Sequence, residues 1–181
     1  LDYRQGKRPY CLKNLTVSEN ESSTELLADL AIDEYYCDCL GAPRIFQIKY
    51  TLDKDGLSAE LMWQDKAANR LPETIMFTLY PNSDSVKYQK IGKKVNPYDV
   101  VSKGGRKLSA AEKVIFDDFE IKNYHSPLVS LGTGKILHFD NKYEKLSDGI
   151  TFVLYDNIWG TNFPLWYSDN AYFKYRIEAT K

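Results

Sequence analysis

Cysteine, histidine and methionine are scarce in these 181 residues, at three, two and two copies, and each scarcity closes off a class of chemistry. An odd, small set of thiols, Cys11, Cys37 and Cys39, cannot build a disulfide framework, and Cys37-x-Cys39 has the wrong spacing for a zinc knuckle. The thiols therefore read as free groups that behave like small hydrophobes. With only His125 and His138 present, a histidine-dependent triad has few ways to form. The sequence also holds no G-x-S-x-G elbow, no phosphate-cradling glycine loop, no H-E-x-x-H pair and no metal-spaced Cys/His cluster. No catalytic residue, no metal ligand and no cofactor is predicted within this chain.

Long apolar runs are missing too. None approaches the roughly 18 residues of a membrane-spanning helix, and the polar opening "LDYRQGKRPY" does not read as a signal peptide. The first residue is not Met, which fits either a processed protein or a piece of a longer one. Basic and acidic residues nearly balance, at 24 and 25, and are scattered. That excludes the electrostatic footprint of a nucleic-acid or anionic-membrane partner. Two sequons, Asn14-Leu15-Thr16 and Asn20-Glu21-Ser22, would matter only in a eukaryotic secretory pathway. Cellular location is left open.

Aromatic residues are abundant, with 14 Tyr, 8 Phe and 3 Trp in a chain that is 43% apolar. That is enough to bury one core, so residues 1–181 read as a single domain, and the aromatic bias leans toward strands. Residues 45–52, "IFQIKYTL", alternate through Phe46, Ile48, Tyr50 and Leu52; "DKDG" turns; "LSAELMW" alternates again through Leu57, Ala59, Leu61 and Trp63. This predicts a hairpin closed by Asp53 to Gly56. A third sequential antiparallel strand is expected in "TIMFTLY". Residues 82–113 are turn-rich, with room for at most two short strands. Strand-like runs return in "VIFDDFEI", "KILHF", "GITFVLY" and "AYFKYRI". Only residues 23–36, "STELLADLAIDEYY", have helical spacing, through Leu26, Leu27, Leu30 and Tyr35. The fold class predicted is all-β, an antiparallel, supersandwich-like β-sandwich with at most one short helix.

Candidate chemistry concentrates in few places. Carboxylate neighbours such as Asp117-Asp118-Glu120 or Asp33-Glu34 do not suit glycoside hydrolysis, because neighbours on a strand point to opposite faces. Glu73 or Asp65 as an isolated acid lacks a paired base. In "DKAANRLPE", Arg70 stands before a proline and near Glu73, so Arg70 is expected to be held by a carboxylate, Glu73 first, or to present donors to a polyol. The strongest signal is "NIWGTNFPLWY". Indoles stack on the C–H faces of sugars, amides and hydroxyls pair with sugar hydroxyls, Gly160 permits close approach and Pro164 stiffens the exit. Asn157, Trp159, Gly160, Thr161, Asn162, Trp166 and Arg70 are accordingly the ligand-binding candidates. The same segment also suits a sandwich corner in which the indoles plug the core.

The segments "DKAANRLPETIMFTLYP", "SPLVSLGTGKILHFDNK" and "YDNIWGTNFPLWYSDNAYFKYRI" resemble the carboxy-terminal part of a domain-of-unknown-function family related to the α-mannosidases of glycoside hydrolase family 38. The resemblance spans roughly residues 40–178, with W-G-T-N-F-P its most specific element. It implies that the chain is the C-terminal β-sandwich fragment of a larger carbohydrate-active protein. Its partner would be a carbohydrate or the upstream domain of the same parent chain. The catalytic carboxylate and metal ligands would lie in an upstream barrel, so the parent would be an α-mannosidase-like hydrolase while this chain is not itself catalytic. Two positions depart from the pattern, Ser109 where histidine is usual and His125 where an acid is usual. Two other readings stay open: a purely structural, interdomain packing module, and a stand-alone carbohydrate-binding or adhesion module.

Overall fold

The structure is a computed structural model and describes Gly6 and residues 8–99, 108–134, 144–157 and 166–180. It begins with two strands, β1 (Cys11–Glu19) and β2 (Ser23–Ala31), joined by a turn in which the Asn20 side chain accepts from the Ser22 and Ser23 amides. The helix expected over 23–36 is therefore a strand, followed by a seven-residue helix α1 (Glu34–Leu40). Asp33 caps that helix by accepting from the Tyr35 amide, and Gly41 ends it with φ 72°. Leu26, Leu27 and Leu30 fit helical spacing, but Leu26, Ala28 and Leu30 also fit a period of two. Pairing decides between the two periods. These three lie opposite Tyr50, Ile48 and Phe46 of β3 (Ile45–Asp53), while Glu25 and Asp29 reach Lys49 and Gln47 on the other face. Partners on both flanks override weak local propensity.

The predicted hairpin forms as read. β3 pairs with β4 (Gly56–Lys66) in the register Phe46↔Trp63, Ile48↔Leu61, Tyr50↔Ala59 and Leu52↔Leu57, closing at Asp53↔Gly56. The next strand, β5 (Thr74–Leu79), does not lie beside β4, contrary to expectation. It crosses to the second sheet, and β4 takes β13 (Asp169–Ala179) as its other neighbour. Alternation shows which face of a strand is buried but is silent on which strand adjoins it.

The turn-rich region holds more than two strands: β6 (Lys87–Lys90), β7 (Lys93–Val95), β8 (Ser109–Ala110) and the start of β9 (Lys113–Ile115). "VIFDDFEI" is not one strand. It is the junction of β9 and β10 (Phe119–Asn123), folded back at Asp117-Asp118, where Phe116 and Phe119 stack with centroids 4.5 Å apart. "GITFVLY" and "AYFKYRI" fall in β12 (Ile150–Asp156) and β13, and β11 is Leu128–Leu131. "KILHF" lies outside the described residues.

Two antiparallel sheets result. The larger runs β1-β2-β3-β4-β13-β10-β9-β6-β7 and the smaller β5-β12-β11-β8. The core lies between them, with Ala59, Leu61, Trp63, Val114, Ile121 and Tyr175 from the large sheet against Phe77, Val129, Ile150 and Phe152 from the small one. Tyr175 bridges the layers, its ring 5.5 Å from Phe77 and 4.7 Å from Phe152. Each such buried side chain contributes about 1.5–3 kcal/mol. The other face of the large sheet is polar and carries cross-strand ion pairs, among them Lys113–Glu120, Lys122–Glu178 and Lys174–Glu60. The core stops short of β1, which is exposed throughout, so Leu12, Leu15 and Val17 meet solvent.

Candidate functional site

Two single-residue bulges shape one end of the sandwich. In β4, Gln64 and Asp65 together lie opposite Asn170 of β13, because Trp63 pairs with Ala171 and Lys66 with Asp169. Asp65 takes φ 56°, and its amide donates to the Asn170 side chain at 3.1 Å. Aspartate is one of the few residues that tolerate this left-handed conformation. The extra residue reverses the alternation, so Lys66 points inward like Trp63 rather than outward. In β12 the extra residue is Leu154, since Val153 pairs with Met76 and Tyr155 with the adjacent Ile75. Ile75 shares the inward face of Phe77, and Tyr155 is thereby turned toward the interior.

The two re-aimed side chains meet. The Lys66 ammonium lies 5.0 Å from the centre of the Tyr155 ring and donates to the carbonyls of Gly41 (3.0 Å) and Ala67 (3.3 Å) and to Glu73 Oε1 (2.5 Å). Its side chain is fully buried, so this pairing offsets what would be a large desolvation cost. Burial pushes the Glu73 carboxyl above the usual carboxylate range, although Lys66 pulls it down. Burial likewise raises the phenols of Tyr155 and Tyr10, and the negative charge of Glu73 adds to both shifts. With all three Lys66 donors engaged, the arrangement ties the helix C-terminus, the bulge and the following loop together.

This loop, residues 67–73, is also fixed from other sides. The Asn69 side chain donates to the Leu40 carbonyl and accepts from the Leu71 amide. Asn157 clamps it from just beyond the end of β12: its side-chain amide donates to the Leu71 carbonyl at 2.8 Å, its side-chain oxygen accepts from the Glu73 amide at 2.5 Å, and its own backbone amide donates to the Glu73 carbonyl at 3.1 Å. Arg70 was expected on Glu73; instead Glu73 is taken by Lys66, and the Arg70 guanidinium lies over the Trp166 indole, 5.0 Å from its centre. The inward turn of Lys66 explains the difference, because it delivers a buried cation to Glu73 while Arg70 remains at the surface.

Of the seven ligand-binding candidates, Asn157, Arg70 and Trp166 thus come together at the 67–73 loop, and Trp159, Gly160, Thr161 and Asn162 lie outside the described residues. The sequence reading missed Lys66 and Tyr155 altogether. The only trace in the sequence is that alternation breaks after Trp63 in "WQDK". His125 accepts from the Lys174 amide at 3.1 Å, and Ser109 accepts from the Lys90 ammonium at 2.7 Å, so both side chains hold structural bonds. Among the described residues no group of three or more His, Cys, Asp or Glu could hold a metal ion, and no helix is long and apolar enough to cross a membrane. No protein-family model matches the chain, and no curated protein matches it in sequence.

Proposed function

We propose that the chain serves as a non-catalytic β-sandwich domain of a glycoside-hydrolase-like protein, and that the end that holds residues 66–73, Asn157 and Trp166 completes or braces a sugar site. One observation carries this reading: both ends of the 158–165 connection are anchored on the same rigid loop, at one side by the Asn157 clamp and at the other by the Arg70–Trp166 stack. A connection with fixed ends loses little further entropy when a partner docks. Trp166 keeps 51% of its surface exposed, which leaves an aromatic platform of the kind sugar rings stack on.

Titrating the 181-residue chain with α-linked manno-oligosaccharides, followed by tryptophan fluorescence and calorimetry, tests the proposal. Saturable binding that Trp166→Ala abolishes without a change in melting temperature supports it. An absence of binding to any saccharide would leave an interdomain packing module as the better account.

A further inference from the structure

Among the described residues, none gives Arg70 an anionic partner. Its guanidinium contacts the Trp166 indole and makes no hydrogen bond or ion pair with any described residue. The carboxylate three positions away is committed to Lys66, in an ion pair whose lysine side chain is fully buried, so Glu73 cannot swing out to neutralise it. The backbone just after Arg70 is held at Leu71, whose amide donates to the Asn69 side chain and whose carbonyl accepts from the Asn157 side chain, and Pro72 follows with its fixed φ.

We propose that Arg70, stacked on Trp166, selects an anionic saccharide, one whose ring carries a carboxylate or phosphate group. This rests on the sugar-site reading above and adds the charge of the ligand to it. The Arg70 guanidinium lies over the indole with its centre 5.0 Å from the ring centre, and its N–H donors, which no described residue engages, form a planar fork. That fork matches the two oxygens of a carboxylate or phosphate. The exposed remainder of the indole takes the C–H face of the sugar. The contact with the indole and the anchored backbone restrain the side chain before the ligand arrives, so less freedom is lost on binding.

Calorimetry on the 181-residue chain with trigalacturonic acid, mannose 6-phosphate and neutral mannotriose tests this, at low and at high salt. The expected result is that at least one acidic ligand binds at least about tenfold more tightly than mannotriose, as one charge-assisted bidentate contact implies, and that salt weakens this binding. The comparison of uronate with phosphate identifies the source of the anion. Arg70→Ala should erase the preference, Arg70→Lys should retain only part of it, and Trp166→Ala should weaken acidic and neutral ligands together. Equal affinity for acidic and neutral saccharides, unchanged by Arg70→Ala, would overturn the anionic selectivity and leave the sugar site standing. Failure of all three ligands to bind would remove both.

Discussion

Ile91 sits at φ 48° with 94% of its surface exposed, next to Gly92 at φ 74°. The two residues form the turn between β6 and β7, where Lys90 pairs with Lys93. Such a two-residue hairpin turn wants left-handed residues at both positions, for which Asn-Gly is the favoured pair and a β-branched residue is costly. Ile91→Asn keeps the backbone amide that donates to Glu112 at 2.9 Å and should raise stability by about 1 kcal/mol, read from urea denaturation. A loss of stability would mean that the isoleucine makes a contact its exposure does not suggest. The Lys66–Glu73 pair predicts the opposite sign. Glu73→Gln strands a fully buried ammonium and should cost about 3–5 kcal/mol. Adding Lys66→Met removes the stranded charge, so the double variant should be more stable than the sum of the two singles by about 1–3 kcal/mol. Strict additivity in the same denaturation series would show that the two groups do not depend on each other.

At the scale of elements, the β3–β4 turn is fastened to β13. Arg176 donates to both Asp53 oxygens, at 2.6 and 2.8 Å, and Asp53 also accepts from the Asp55 and Gly56 amides. The Arg176 hydrogen bonds, followed by the backbone amides, hold the Asp53 carboxyl down at about 2. A carboxyl depressed in the folded state stabilises fully above its unfolded value of about 3.9, and that contribution disappears as pH falls toward 2. Asp53→Asn should therefore be less stable than the parent at pH 7, with the gap closing between about pH 4 and pH 2. A gap that stays constant with pH would contradict the ion pair. The same hairpin was fully legible in the sequence, because Phe46 through Trp63 alternate with no competing period. β2 was not, since its leucines satisfy two periods and only Phe46, Ile48 and Tyr50 across the sheet choose between them. Asn157, Arg70 and Trp166, singled out by residue type, meet at the 67–73 loop. The Lys66 partner of Glu73 was not legible, because the bulges at Asp65 and Leu154 each invert a facing through a single residue, for which broken alternation in "WQDK" is the one faint sign.

At the scale of the whole molecule, the small sheet divides the large one into a covered and an uncovered part. Phe152 is 1% exposed against Tyr175, whereas Leu15 is 47% exposed on β1. Phe152→Ala should cost about 3–5 kcal/mol, and Leu15→Ala less than about 0.5 kcal/mol. Amide hydrogen exchange should follow the same division, with β4 and β13 protected up to the global stability and β1 exchanging by local opening. Comparable protection in β1 and β13 would show that something covers the first strand. One arrangement also bears on the order in which the chain can fold. β13, the last of the described strands, lies in the middle of the large sheet with β4 on one side and β10 on the other, and it pairs Asp169 with Lys66 across most of the sequence. Until residues 169–179 have been synthesised, β1–β4 and the β6, β7, β9 and β10 group are two separate half-sheets, each with a raw edge facing the gap. Completion waits on the final strand, so folding should be slow for a protein of this length, as pairings of such long sequence separation demand, and a nascent chain stalled before Asp169 would present both edges to its neighbours at once.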